Sequence, residues 1–228
     1  TLATQDVTLY NRQAGSGNTN LLIDVLGKTF GSLIIPTNTT VTHESTHTFT
    51  VTDALTITGT FNGGSGAPTL GSIRVMDGGN YTASSGTTII NDKGFGSRSF
   101  LVEGDWANNN GTVKIQGSTA GPSYIACASE GGSTKPFYNL IVDNTTASNN
   151  EYWYNDLEVD NDLTITGKTL MQRDDAGVPY TINVKGTCLI NGASAVLDTN
   201  TDGTTSDTFN NLVITTGGTY NATPNAVT

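Results

Sequence analysis

The stretch Val51-Thr-Asp-Ala-Leu55-Thr-Ile57-Thr-Gly59 carries apolar side chains at alternate positions, with Thr between them and Gly at the end. Period-2 alternation marks a strand with one buried face, and Gly marks the bend that ends it. The formula returns at Val159-Asp-Asn-Asp-Leu163-Thr-Ile165-Thr-Gly167. It returns again at Val184-Lys-Gly-Thr-Cys188-Leu-Ile190-Asn-Gly192, where Cys188 takes the Leu position. Val102-Glu-Gly-Asp-Trp106 opens the same way and then loses its alternation at Asn108–Asn110. A second motif recurs as Pro136-Phe-Tyr-Asn-Leu140-Ile-Val142 and Thr208-Phe-Asn-Asn-Leu212-Val-Ile214.

The spacing of these units separates two architectures. Val51, Val75, Val102, Val159 and Val184 lie about 24, 27, 57 and 25 residues apart, the long gap being two units. Self-similarity at such a period, with strands inside each unit, predicts a solenoid. The fold class expected is all-β: a single-stranded parallel β-helix of about eight or nine coils over residues 31–228. At ~4.8 Å per coil this makes a rod roughly 40 Å long. One or two antiparallel sandwiches would also give many short strands, but they do not predict a repeated V-x-x-x-L-x-I-x-G. Residues 1–30 are expected to form an N-terminal cap or assembly segment. Within them Asn20-Leu-Leu-Ile-Asp-Val-Leu-Gly27 reads either as a short capping helix, with Asn20 as its N-cap, or as another strand.

Composition agrees. About 40 of the 228 residues are Thr, about 23 are Asn and 27 are Gly. Thr favours strands, while Asn and Gly accept the left-handed backbone of tight turns. The 10 Lys+Arg against 20 Asp+Glu give a formal net charge of −10, with only 13% of residues charged. Scattered, scarce bases argue against a nucleic-acid footprint. No apolar run approaches the ~20 residues of a membrane-spanning helix. The chain has no initiator Met, and its last repeat stops without a cap, so a processed product or a piece of a longer chain is expected. Cys127 and Cys188 sit among apolar neighbours, as buried free thiols do.

The run Gly111-Thr-Val-Lys-Ile115, Phe137-Tyr-Asn-Leu-Ile-Val142, Leu157-Glu-Val159 and Leu163-Thr-Ile165-Thr-Gly167-Lys-Thr-Leu170 resembles degenerate repeats of secreted bacterial β-solenoid surface proteins, adhesins and phage fibre proteins. The resemblance covers roughly residues 30–228. It implies an extracellular, cell-surface or virion-surface structural protein that self-associates into a filament or fibre, and it transfers no catalytic residue.

Four constellations are candidates for chemistry. His43-Glu-Ser-Thr-His47 matches H-E-x-x-H, whose metal chemistry requires a helix. Its Thr-rich flanks are strand-like, and on a strand the two imidazoles stand about 13 Å apart, too far to share zinc. They are expected on the surface. Asp198, Asn200, Asp202 and Thr204, in Asp198-Thr-Asn-Thr-Asp-Gly-Thr204, follow the first half of a calcium loop; Phe209 stands where an EF-hand has its bidentate Glu. Calcium is the one cofactor the residues suggest, a solvated turn being the alternative. Asp156, Glu158, Asp160 and Asp162 alternate with apolar residues and would line an outer face. Tyr152, Trp153 and Tyr154 form the densest aromatic cluster; extended, the tyrosines face one way and Trp153 the other. Such a cluster suits a glycan or a protein contact. The leading reading is a non-enzymatic filament or fibre unit, with a glycan-binding adhesin or tail-fibre module second and a polysaccharide-cleaving β-helix third.

Overall fold

A computed structural model of the chain describes residues 7–8, 19–23, 27–43, 46–91, 98–116, 123–126, 135–143, 150–172, 180–199 and 207–222. Every regular element among them is a strand. The chain opens with β1 (Val7–Thr8), β2 (Thr19–Ile23), β3 (Lys28–Phe30), β4 (Leu33–Ile35) and β5 (Thr39–His43). It continues through β6 (Phe49–Ile57), β7 (Thr60–Asn62), β8 (Thr69–Val75), β9 (Asn80–Thr82), β10 (Thr87–Ile90), β11 (Arg98–Val102) and β12 (Asp105–Ala107). The second half comprises β13 (Thr112–Ile115), β14 (Ser123–Ala126), β15 (Asn139–Asp143), β16 (Glu151–Trp153), β17 (Leu157–Val159) and β18 (Leu163–Thr166). It ends with β19 (Thr169–Gln172), β20 (Ile182–Asn191), β21 (Val196–Asp198), β22 (Thr208–Ile214) and β23 (Thr219–Asn221).

Every pairing between these strands is parallel, and each joins one coil to the next. The result is a three-faced parallel β-helix. The first face stacks β3, β6, β8, β10, β13, β15, β18, β20 and β22. The second runs from β1 and β4 through β6, β8, β11 and β14, then β16, β19, β21 and β23. The third stacks β2, β5, β7, β9 and β12, and resumes at Phe137 to pass through β17, β20 and β22. About six turns carry regular strand on every face, slightly fewer than the eight or nine coils expected. The shortfall has local causes. Between Trp106 and Phe137 the third face has no backbone pairing, Phe137 makes only an isolated bridge to Val159, and no described strand of that face follows β23.

The capping helix expected as one reading of Asn20–Gly27 is not formed. Residues 19–23 are strand β2, which pairs in register with β5 from Thr19–Thr39 to Ile23–His43. Five consecutive backbone pairings with a neighbouring coil outweigh the helical spacing of the apolar residues, since a short isolated helix is marginal in water.

In-register stacking sets like side chains above one another. On the first face Ile90, Ile115, Val142, Ile165 and Ile190 form one inward column, each fully buried. On the second face the inward column is Leu33, Leu55, Ile73, Phe100, Ile125 and Trp153. Rings from two faces meet along the axis: Phe61 lies 5.6 Å from Tyr81, Tyr81 5.1 Å from Trp106, and Trp106 5.1 Å from Phe100. At the seam in the third face, Trp106 Nε1–H donates to the Pro136 carbonyl at 2.8 Å and Asn108 Nδ2 donates to the same oxygen at 3.3 Å. Side chains there supply bonds that backbone supplies elsewhere.

The recurring V-x-x-x-L-x-I-x-G spans a corner. In the first half Val51 lies on the first face and Leu55 and Ile57 on the second. In the second half Val159 and Val184 lie on the third face, while Leu163, Ile165, Cys188 and Ile190 lie on the first. Where such a corner stacks on the shorter Phe209-x-x-Leu212, the register slips by a residue between Val184 and Thr187. The corners from the second face to the third are sharp: a Cβ on Gly59 would collide with the carbonyl oxygens of Pro36 and Thr39.

Gly59→Ala is therefore expected to lower the unfolding free energy by about 1–3 kcal/mol in urea titrations, while Thr40→Ser stays within about 0.5 kcal/mol of the parent. Cys188 is a buried free thiol, and burial pushes its pKa from 9.0 up to about 12. As pH rises past 9 the unfolded chain releases that proton and the folded chain does not, so stability falls between about 9 and about 12. With Cys127 changed to Ser throughout, the loss of stability between about pH 8 and about pH 10.5 should be smaller in Cys188→Ala than in its parent.

Candidate functional site

The second face carries the aromatic cluster. In β16 the backbone alternates, so Glu151 and Trp153 point inward and are buried, while Tyr152 points outward and is half-buried. Tyr154, one residue past the strand, lies on the same outer side. The expected division of the cluster is met, and it removes Trp153 from any ligand surface: only 1% of it is exposed. A ring absent from the sequence reading completes the group. Tyr124 of β14 pairs in register with Tyr152, their centroids 5.5 Å apart, and lies 5.0 Å from Tyr154. One coil earlier, Arg98 of β11 pairs in register with Tyr124 and sets its guanidinium 5.8 Å from the Tyr154 ring centroid. Arg98, Tyr124 and Tyr152 lie about one coil apart in the chain, but neither Arg98 nor Tyr124 falls in a repeated motif, so the register was needed to bring them together.

The acidic row is used internally. Asp156 Oδ1 accepts the Thr181 N–H at 2.7 Å, and Asp162 Oδ1 accepts the Thr187 N–H at 2.8 Å. Glu158 and Asp160 both lie 2.7 Å from Lys185 Nζ, and Asp160 also accepts from Asn108 Nδ2 at 3.1 Å. Hydrogen bonding to Asp160 first, then to Glu158, raises the Lys185 pKa above its ordinary value of 10.5. Each of these partners of Asp156, Glu158, Asp160 and Asp162 on the next coil is about 25 residues further along the chain. The carboxylates act as staples between coils.

The expectation that both histidines are surface residues fails at His43. It ends β5 as an inward position, 2% exposed, with its ring edge-on to Phe49 at 4.8 Å. Odd positions in β5 face the core, so the apolar alternation of the coil carries the imidazole inside. His47, four residues on, is half-buried beyond the strand. Of the calcium-loop residues, Asp198 lies in β21 with its carboxylate 3.4 Å from Asn221 Nδ2; Asn200, Asp202 and Thr204 lie outside the described residues. No group of three or more His, Cys, Asp or Glu is placed to hold a metal among the described residues.

A polar cleft of about 250 Å³ opens at the corner between the second and third faces, lined by Thr37, Asn38, Thr58, Gly59, Thr60 and Asn80 among others. Its lining holds threonine hydroxyls and asparagine amides and no carboxylate, imidazole or amine to act as a general acid or base. No helix among the described residues is long and apolar enough to cross a membrane.

The last described coil exposes apolar side chains. Ile214 continues the inward column of the first face, yet it is 45% exposed where Ile190 above it is 0%. Val213 is 38% exposed, and Leu212, Phe209 and Tyr220 are only partly buried. Tyr220 Oη donates to the buried Asp207 carboxylate at 2.8 Å, and Phe209 stands edge-on to Tyr220 at 5.6 Å. No described strand pairs with the far edge of β22 or β23.

Comparisons with protein-family models, with curated proteins and with solved structures find no match.

Truncating Asp156 or Asp162 to Ala removes a charge-assisted hydrogen bond to a backbone N–H on the next coil and is expected to cost about 0.5–1.5 kcal/mol each. Lys185→Ala, which removes solvent-exposed ion pairs to Glu158 and Asp160, should cost less than either. Thermal or urea melts of the three variants check the order.

Proposed function

We propose that the chain is a non-enzymatic structural β-solenoid of an extracellular, cell or virion surface, serving as a subunit or segment of a filament or fibre joined through its ends. The observation that carries this reading is the exposure of Ile214 and Val213 on the last described coil. A solenoid is a stack of nearest-neighbour interfaces, and among the described residues nothing pairs with the far edge of β22 and β23. Exposed Ile214 and Val213 beside an unpaired edge offer apolar contact and a row of backbone donors and acceptors together. A second copy stacked in the same sense satisfies both, and a head-to-tail contact of this kind propagates without closing.

The remaining surface is consistent with a passive rod. Its carboxylates bridge coils, and its threonine hydroxyls donate to carbonyls of neighbouring coils, as Thr58 Oγ1 does to Ile35 at 3.1 Å and Thr199 Oγ1 to Asn221 at 3.2 Å.

Negative-stain electron microscopy across a concentration series tests the reading. End-to-end filaments lengthening with concentration are expected, and Ile214→Lys should shorten them to single rods whose circular dichroism matches the parent. Single rods at every concentration for the parent would overturn it.

A further inference from the structure

We infer that Arg98, Tyr124, Tyr152 and Tyr154 form a binding platform for an acidic polysaccharide, in which tyrosine rings carry the sugar faces and the guanidinium takes a uronate carboxylate. This goes beyond the structural role and is independent of it.

The platform is built by the register. β11, β14 and β16 are successive coils of the second face; the register slips between Arg98 and Phe100, and this slip sets Arg98 opposite Tyr124 while Phe100 stays in the core column, with Tyr124 opposite Tyr152 on the next coil. Beneath them Phe100, Ile125 and Trp153 form the inward column, each at most 1% exposed. Alternation thus anchors every outward tyrosine beside a core residue that cannot move. Tyrosine has two side-chain torsions, so little freedom remains to be lost on binding. Tyr124 lies 5.5 Å from Tyr152 and 5.0 Å from Tyr154, with ring planes tilted by 34° and 54°, so the three rings form one contiguous aromatic ladder along the axis.

Stacking between coils would by itself explain three tyrosines, because aromatic pairs stabilise neighbouring strands. Arg98 is what points to a ligand. The chain carries twice as many acids as bases, and Lys114, Lys135 and Lys185 each lie within 3.4 Å of a carboxylate. Arg98, in contrast, has no carboxylate partner among the described residues and rests beside the Tyr154 ring. A cation–π contact with a ring occupies the face of a guanidinium and does not use up its fork of N–H donors. That fork matches a carboxylate with two parallel hydrogen bonds.

A pyranose presents an apolar face of C–H groups and an equatorial belt of hydroxyls, so a sugar packed against the column at Tyr152 buries the first and leaves the second to the Tyr152 hydroxyl. From Arg98 to Tyr152 is two coil steps, roughly 10 Å, enough for about two sugar units. The net charge of −10 repels a polyanion at long range. Retention therefore depends on these short-range contacts rather than on diffuse attraction.

Affinity electrophoresis of the whole chain through gels containing polygalacturonate, alginate or hyaluronate, with methyl-esterified polygalacturonate as the uncharged counterpart, tests the inference. Retardation is expected with at least one acidic polymer. Tyr152→Ala and Arg98→Gln should each weaken it about tenfold, with Arg98→Lys intermediate. Far-ultraviolet circular dichroism and the melting temperature establish that the variants fold. Equal retardation by esterified and free polygalacturonate would overturn the uronate assignment. No retardation by any polymer, or retardation unchanged in folded Tyr152→Ala and Arg98→Gln, would overturn the platform. Filament formation by Tyr152→Ala, read by microscopy, keeps this outcome separate from the fate of the rod.

Discussion

Parallel, in-register pairing between successive coils is the constraint on which the rest of this structure depends. A coil satisfies its backbone donors and acceptors only through the coils on either side, so each circuit has to bring equivalent residues back to the same azimuth. The vertical columns follow directly. Ile115, Val142, Ile165 and Ile190 are superposed because the backbone ladder leaves them nowhere else to go. Burial then reinforces the ladder: a residue in the column is covered by its counterparts above and below, and large-to-small replacement there opens a cavity shared by neighbouring coils.

The same constraint accounts for the unusual composition. Outward positions do not need charge to stay soluble if their polar groups are spent on neighbouring coils, and Thr, Asn and Asp are short enough to do that. Asn161 Nδ2 reaches Asn139 Oδ1 at 2.8 Å, and Thr215 Oγ1 reaches the Ile190 carbonyl at 3.3 Å. Corners need a left-handed residue or one without a side chain, which places Asn38 at φ 61° and Gly78 at φ 77°. Threonine, asparagine and glycine are thus three answers to one geometric problem.

How much of this could be read from the chain depended on which face a residue serves. The period and the parallel architecture were legible because Leu55-x-Ile57 and Leu163-x-Ile165 are plain alternations. The phase was not: Val51 and Val159 look equivalent, yet one closes the first face and the other the third, because the motif encodes a bend rather than an azimuth. His43 was misplaced for a related reason, since its polarity suggested the surface while its parity in β5 sent it into the core. The split of Tyr152 and Trp153 followed from parity alone. Tyr124 and Arg98 could join the cluster only once the register was known, because neither lies in a motif that repeats. The carboxylate row looked like a solvated face, and its bonds to the following coil are invisible without that coil's position.

The seam between Trp106 and Phe137 has a mechanical meaning. The first face carries its ladder through this level in continuous register and the second with one slip at Ser99, while the third is held by two side-chain donors converging on one carbonyl. A beam with one weakened wall is stiff to stretching, which loads all walls together, and compliant to bending that opens the weak one. Flexure of the rod away from the third face would concentrate at this level, giving an otherwise uniform stack a preferred direction and place of bending.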